Sequence, residues 1–298
     1  MTMIGRKDFI RNLAVGSFAT TLGGCVGVQE PAAKASGDVK ISFLGTSHGA
    51  VTPLRFSSCT LLQYAGRNYV IDAADGAAGR IMQSGVKIPD LDAVFITHPH
   101  SDHFGGLPML LAQHAFQNYC YRRKLKQKKP LEVLLPGPEL LKTITEIHKL
   151  QYVGRLPEYQ HVRDYKPGVI LDDGTVRVTA YGNDHMGRRP DGSQLAHSLL
   201  FELSNGKRIY FSGDVSKTFD LPLEPLKAGP VDLLVCELVH YPIQNAVARL
   251  KGQAIGKVCF QHYGDRWEAP GWEERFAAFA AQLTMPAERV ADLDVRYL

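Results

Sequence analysis

The sequence predicts a single α/β domain over residues 39–298, and three observations carry that expectation. Strand-like and helix-like segments alternate from residue 39 onward. Some of the strands are apolar without a break, as a strand covered on both faces must be. No linker, composition shift or short repeat divides the body. Of the 298 residues 45% are hydrophobic and 21% charged, ordinary for a globular chain with a sizeable core.

In order, "VKISFLGT" opens as a strand, and "SSCTLLQYAGRNYVIDAA" is a hairpin turned at Ala65 and Gly66. "GAAGRIMQSG" fits a short helix stopped by glycine. "LDAVFIT" is a buried strand and "HFGGLPMLLAQHAFQNY" the helix behind it. "LEVLLPG" is the next strand. In "PELLKTITEIHKL", Leu140, Leu141, Ile144 and Ile147 share one helical face. "VRVTAYGND" and "SLLFELSNGKRIYFSGD" are strands around a loop rich in Gly, Arg and Pro. "VDLLVCEL" and "KVCFQH" are late buried strands, and "GWEERFAAFAAQL" is the final helix.

The N-terminal "MTMIGRKDFIRNLAVGSFATTLGGC" starts basic, continues with an apolar stretch too short to span a bilayer, and ends in small residues before Cys25. Residues 1–25 therefore read as an export signal. "GRKDFIR" resembles a twin-arginine signal with Lys7 in place of the second arginine, and "LGGC" resembles a lipobox, which implies lipidation of Cys25. Residues 26–38 read as a tether, and the expected location is the periplasm or cell envelope, with the membrane as partner. Formal charge is +4, and it falls to +2 without the first 24 residues, which hold Arg6, Lys7 and Arg11 against Asp8. A near-neutral body gives no reason to expect a nucleic-acid partner. The basic run "YRRKLKQKKP", residues 121–130, reads as a solvated helix end and loop. Cys59, Cys236 and Cys259 fall in strand-like runs as buried thiols; with Cys120 they form no CxxC pair, so cysteine is not assigned to metal. Oligomeric state stays open, a homodimer included.

Chemistry concentrates in "FITHPHSDHFGG", residues 95–106. A strand ending at Thr97 delivers His98 and His100 on alternate residues, so both imidazoles can point one way. Asp102 and His103 open the following helix and can face a second ion. Imidazole and carboxylate donors with a position left open for water are the ligands of hydrolytic zinc. Further donors stand where later strands exit: His185 after "VTAYGND", Asp214 after "IYFSG" and His262 after "KVCFQ". Seven candidate ligands result, three for each of two ions and one carboxylate able to bridge.

"ISFLGTSHG", "YVIDAADG", "FITHPHSDHFGGLPMLL", "YGNDH", "FSGD" and "CFQH" resemble, in order, the motifs of the metallo-β-lactamase superfamily, nearest to its ribonuclease Z/arylsulfatase-like branch. The resemblance spans residues 39–265 and implies a four-layer αββα sandwich with the metal site at one edge. It implies one zinc on His98, His100 and His185, a second on Asp102, His103 and His262, and Asp214 bridging. Asp72 takes the position of an aspartate that supports the metal loop.

Two zinc ions so held lower the pKa of a shared water and supply hydroxide as nucleophile, so Asp102 and Asp214 count as catalytic through the metals. A general acid must protonate the leaving oxygen, and in "CELVHY" Glu237 and His240 are available, with His240 the candidate. His197 is read as orienting a ligand or the substrate, and Arg188 and Arg189 as holding an anion. His48, His114, His148 and His161 are read as surface or packing residues. The expected substrate is a small anionic ester, with phosphodiesters first. Arylsulfatase, lactonase or β-lactamase, tRNA 3′-processing endoribonuclease and a non-catalytic metal-binding lipoprotein are the alternatives.

Overall fold

The computed structural model describes residues 38–49, 52–121, 130–152 and 159–298. The expected export signal, Cys25 and all of the tether but residue 38 lie outside these residues, as does the basic run from 122 to 129. The first half of the chain runs β1 (Lys40–Gly45), β2 (Cys59–Tyr64), β3 (Arg67–Ile71), α1 (Ala77–Gln83), β4 (Ala93–Phe95), α2 (Ser101–Phe104), α3 (Leu107–Tyr121), β5 (Leu131–Pro136), α4 (Pro138–Tyr152) and β6 (Gln160–Tyr165). The second half runs β7 (Gly168–Asp172), β8 (Val176–Arg188), β9 (Gln194–Leu203), β10 (Arg208–Phe211), α5 (Glu224–Ala228), β11 (Val231–Leu238), α6 (Ile243–Leu250), β12 (Ile255–Tyr263), α7 (Trp272–Ala280), β13 (Ala287–Arg289) and β14 (Val295–Tyr297).

These strands make two seven-stranded mixed sheets, ordered β14-β1-β2-β3-β4-β5-β6 and β13-β12-β11-β10-β9-β8-β7. Alternation of side chains across each strand builds three apolar layers from them. Ile41, Tyr69, Phe95 and Leu134 of the first sheet meet Val178, Phe201, Phe211 and Val235 of the second. Phe95 and Phe201 are in edge-to-face contact, with ring centroids 5.2 Å apart. The opposite face of the first sheet, with Val70, Val94 and Val133, is covered by Ile81, Leu110, Leu111, Leu140 and Ile144. On the outside of the second sheet, Leu234, Val258 and Phe260 pack under Leu250, Phe276 and Phe279. Helix, sheet, sheet and helix are therefore the four layers that the motifs imply.

The hairpin turn needs left-handed backbone at both central residues, and Ala65 (φ 49°) and Gly66 (φ 76°) adopt it. "SLLFELSNGKRIYFSGD" breaks into β9 and β10, because Asn205 and Gly206 turn the chain back on itself. Four strands carried too little apolar signal to be read. All four lie at sheet edges: β6, β13 and β14 carry Arg, Asp or Glu between few apolar residues, and β7 is a short run of three apolar residues between Gly168 and Asp172.

Candidate metal centre

Parallel pairing explains why distant residues meet. β3 runs parallel to β4, and β10, β11 and β12 run parallel to one another, so their C-terminal ends open at the same edge of each sheet. Asp72 follows β3, the histidine loop follows β4, Asp214 follows β10, Glu237 ends β11 with Leu238, and His262 ends β12 with Tyr263. His185 differs from expectation in lying within a long β8, at an irregularity in its pairing with β9 between Asn183 and Arg188. Where β12 reaches this edge, bridges join Ser47 to Ser57 and to Tyr263 and so link the two sheets.

All seven candidate ligands converge. His98 Nε2 lies 3.0 Å from His100 Nδ1, and His185 Nε2 lies 3.2 Å from that same atom. Asp214 Oδ2 is 3.6 Å from His98 Nε2 and 3.7 Å from His185 Nε2. On its other side that oxygen is 3.3 Å from His103 Nε2 and 3.2 Å from His262 Nε2. Each of those two nitrogens is 3.8 Å from Asp102 Oδ2. Donors about 2.0–2.1 Å from a tetrahedral zinc ion are spaced roughly 3.3 Å apart, which is the spacing in both groups. His103 Nε2, His262 Nε2 and Asp214 Oδ1 are buried and make no hydrogen bond, a costly state that a cation at the ligand nitrogens relieves. The residues fit a metal centre, and Asp214 Oδ2 lies within 3.7 Å of imidazole nitrogens of both donor groups.

The far nitrogens of these imidazoles are held from behind. Asp72 accepts hydrogen bonds from Thr97 N (2.8 Å), Thr97 Oγ1 (3.0 Å) and His103 Nδ1 (2.7 Å). Ser58 Oγ meets His262 Nδ1 at 2.8 Å, and the carbonyl of Val215 meets His185 Nδ1 at 3.2 Å. Thr97 Oγ1 sits 3.1 Å from His98 Nδ1. Such partners set the tautomer so that the lone pair faces the metal. Of these supports only Asp72 was expected. Ser58 and Thr97 carried no signal of their own, being small hydroxyl residues in a strand margin.

Electrostatics follow burial and charge. Burial would raise the Asp214 carboxyl, but His262, His103 and His98 hold it well below the usual carboxylate range. Burial drives His98 well down and lowers His185, so both offer neutral nitrogens. For His103 burial also acts downward, yet Asp214 and Asp72 outweigh it and hold the ring well above the usual histidine range.

His240 joins the cluster. Its Nδ1 donates to Glu237 Oε1 at 3.0 Å and stands 3.6 Å from Asp214 Oδ2. Glu237 is itself fixed, accepting from the amides of Val215 (2.9 Å), Val239 (2.9 Å) and His240 (3.0 Å). Burial lowers the His240 pKa, but the Glu237 hydrogen bond and the charges of Glu237 and Asp214 outweigh it, and the net shift is upward. Nδ1 is engaged by Glu237, and His240 also groups with Asp214 and His262 closely enough to hold a metal ion.

Other readings move. His197 is buried and faces Tyr165 (centroids 4.9 Å apart) instead of any ligand; its backbone amide supports the loop by bonding Thr97 O at 3.1 Å. Arg188 and Arg189 are already paired, with Asp184 (3.0 Å) and Glu139 (2.9 Å). His48, read as a packing residue, stands at the centre, its ring edge-on to His262 at 6.5 Å. His114 and His148 are buried and His161 is exposed. Cys59, Cys236 and Cys259 are buried free thiols.

Comparison with known proteins agrees with this geometry. The family described as Anti-Pycsar protein Apyc1 matches residues 39–285. Ribonuclease Z of Brevibacillus brevis is 25% identical over 85% of this chain and 94% of its own. Ribonuclease Z of Methanopyrus kandleri is 29% identical over half of this chain, and that match spans only 47% of the relative's length. The metallo-β-lactamase fold protein YhfI of Bacillus subtilis superposes with a TM-score of 0.67 at 14% identity, over 88% of this chain and all of YhfI, which shows the fold alone. The chain is a metal-dependent hydrolase by kinship, and it belongs to the family described as Anti-Pycsar protein Apyc1, in the ribonuclease Z branch of the metallo-β-lactamase superfamily.

Proposed function

We propose that this protein is a binuclear zinc phosphodiesterase acting on small anionic diesters. One observation carries the reading: a single carboxylate oxygen, Asp214 Oδ2, lies within 3.7 Å of imidazole nitrogens of two donor groups and adjoins a histidine held by a buried carboxylate. His98, His100, His185 and Asp214 would hold one ion; Asp102, His103, His262 and Asp214 would hold the other. Zinc bound there supplies an activated water and charge stabilisation for the developing oxyanions. The protein's own part is to fix those donors and to present a proton. His240, its Nδ1 on Glu237, would give the Nε2 proton to a leaving oxygen.

An activity panel on zinc-loaded protein tests the substrate class. A bis-aryl phosphate should be hydrolysed faster than an aryl sulfate, a lactone or a β-lactam; a clear lead for any of these would overturn the diester assignment. Asp214→Ala should abolish turnover and lower zinc from about two ions per chain. Wild-type turnover with full zinc would refute the shared-carboxylate reading. RNA remains the second reading because the relatives are named ribonuclease Z. It competes through the same panel with a precursor tRNA added.

The reading includes an exported, lipidated protein, supported by the residue pattern ending at Cys25. Cys25→Ser should release it from the membrane fraction or leave an uncleaved precursor. Wild-type protein wholly in the cytosol with residues 1–24 intact would refute export.

A further inference from the structure

The loop between β1 and β2 has a rigid base. Asp292 Oδ1 accepts from Thr46 N (2.9 Å) and Oγ1 (2.8 Å), and its Oδ2 from Phe56 N (2.8 Å). The Arg55 guanidinium donates to the carbonyls of Thr46 and Tyr263, both at 3.0 Å, and pairs with Glu268 at 2.6 Å. His48 projects from this loop beside the metal centre. A Cβ on Gly264 would come within 3.0 Å of His48 Nε2 and 3.4 Å of Val239 Cγ2, so the ring lies over Gly264 and fills the room that a side chain would take. A Cβ on Gly49 would lie 3.9 Å from Asp102 Oδ2, which places the following backbone beside a ligand. His240 also stacks on His262, with centroids 5.7 Å apart.

His48 is half-buried, and its ring makes no hydrogen bond among the described residues. Neither ring nitrogen is among the buried polar atoms, so both stay open to solvent and to a bound ligand beside Asp102 and His262. We propose that His48 is a substrate-contacting residue that takes a hydroxyl-bearing substituent of the ester, on the side of the centre formed by Asp102 and His262. The inference rests on the phosphodiesterase reading. A neutral imidazole has one donor and one acceptor, which matches a hydroxyl; the anionic oxygens belong to the metals.

The test compares bis(p-nitrophenyl) phosphate, which has no hydroxyl, with the p-nitrophenyl ester of thymidine 5′-phosphate, on zinc-loaded wild type, His48→Phe and His48→Asn. Phe keeps the ring volume and removes both polar atoms. His48→Phe should raise KM for the nucleoside ester roughly tenfold with kcat within about twofold, leave the bis-aryl ester unchanged, and retain zinc. Asn should recover part of the loss. By calorimetry His48→Phe should weaken thymidine monophosphate roughly tenfold and leave inorganic phosphate unchanged. Equal effects on both esters and on both ligands would assign His48 a structural role and overturn the proposal, as would no effect. Wild type inert to both diesters would overturn the phosphodiesterase reading instead, and the calorimetric pair would still decide His48.

Discussion

Replacing Asp72 by Asn tests whether the metal loop is built by its outer hydrogen bonds. Asp72 sits in left-handed backbone (φ 57°), which Asn tolerates, and the two side chains share one shape. The change therefore removes a charge and one acceptor and little else. Asp72 Oδ1 takes the Thr97 amide at 2.8 Å and Oδ2 takes His103 Nδ1 at 2.7 Å. An amide cannot serve both donors. If its oxygen keeps Thr97, its NH2 faces His103 Nδ1 and drives the ring proton to Nε2, where the metal must bind. Turned the other way, the NH2 meets the Thr97 amide head-on. A hydrogen bond to a charged group contributes about 1.5–3 kcal/mol, and loss of an outer-shell partner commonly costs 10- to 100-fold in metal affinity. The two figures agree, since each 1.4 kcal/mol is about tenfold. Zinc affinity of Asp72→Asn, measured by chelator competition, should fall by about 10- to 100-fold, and excess zinc should restore part of the turnover. Unchanged affinity in a folded variant would show that the donor groups are positioned without Asp72.

Three other outcomes follow from named contacts. His240→Ala should slow esters with poor leaving groups about 100-fold and spare p-nitrophenyl esters, since a general acid matters only where protonation is needed; equal loss on both would refute the acid role. Gly106→Ala should destabilise by about 2–4 kcal/mol in thermal melts, because its Cβ would stand 1.8 Å from Ala74 O, whereas Gly79→Ala, with nothing within 4 Å, should be neutral or better. Glu288 is lowered from 4.5 to about 2: burial would raise it, but Arg296 (2.6 Å), Lys257 (2.8 Å) and Cys259 outweigh that. A folded-state pKa below the unfolded one stabilises above about pH 4.5 and is lost as pH falls towards 2. Glu288→Gln should therefore cost about 1 kcal/mol at neutral pH after allowance for solvent screening, with the difference from wild type shrinking below about pH 4.5; a constant difference down to pH 3 would contradict the linkage.

What the sequence reveals depends on whether a signal is local. His98, His100, Asp102 and His103 fall within six residues, and their spacing alone announces a metal loop. The buried strands "LDAVFIT" and "VDLLVCEL" are equally plain, because burial on both faces leaves an unbroken apolar run. His185, Asp214 and His262 needed the order of motifs, since nothing near any of them specifies a partner. Parallel strands discharge at one edge, so residues 164 apart in the chain, His98 and His262, approach one carboxylate, whereas His185 reaches it from within β8.

Where the signal was spatial only, reading failed in a consistent way. Ser58 holds His262 across 204 residues, and no property of "FSSCT" distinguishes that serine from its neighbour Ser57. His48 was read as a surface or packing residue, and the contact that sets its place, with Gly264, lies more than 200 residues away. His197 shows the converse error. It stands in the apolar strand "LAHSLLFEL" two residues before Leu199, where a histidine suggests chemistry, yet its ring is buried against Tyr165 and burial lowers its pKa to about 4. Its backbone amide bonds the metal loop at Thr97 O, and the buried ring lies against Tyr165. Five of the histidines at the centre have a ring nitrogen tied to a partner, Asp72, Ser58, Val215, Glu237 or Thr97, whereas the buried ring of His197 has no side-chain partner of that kind.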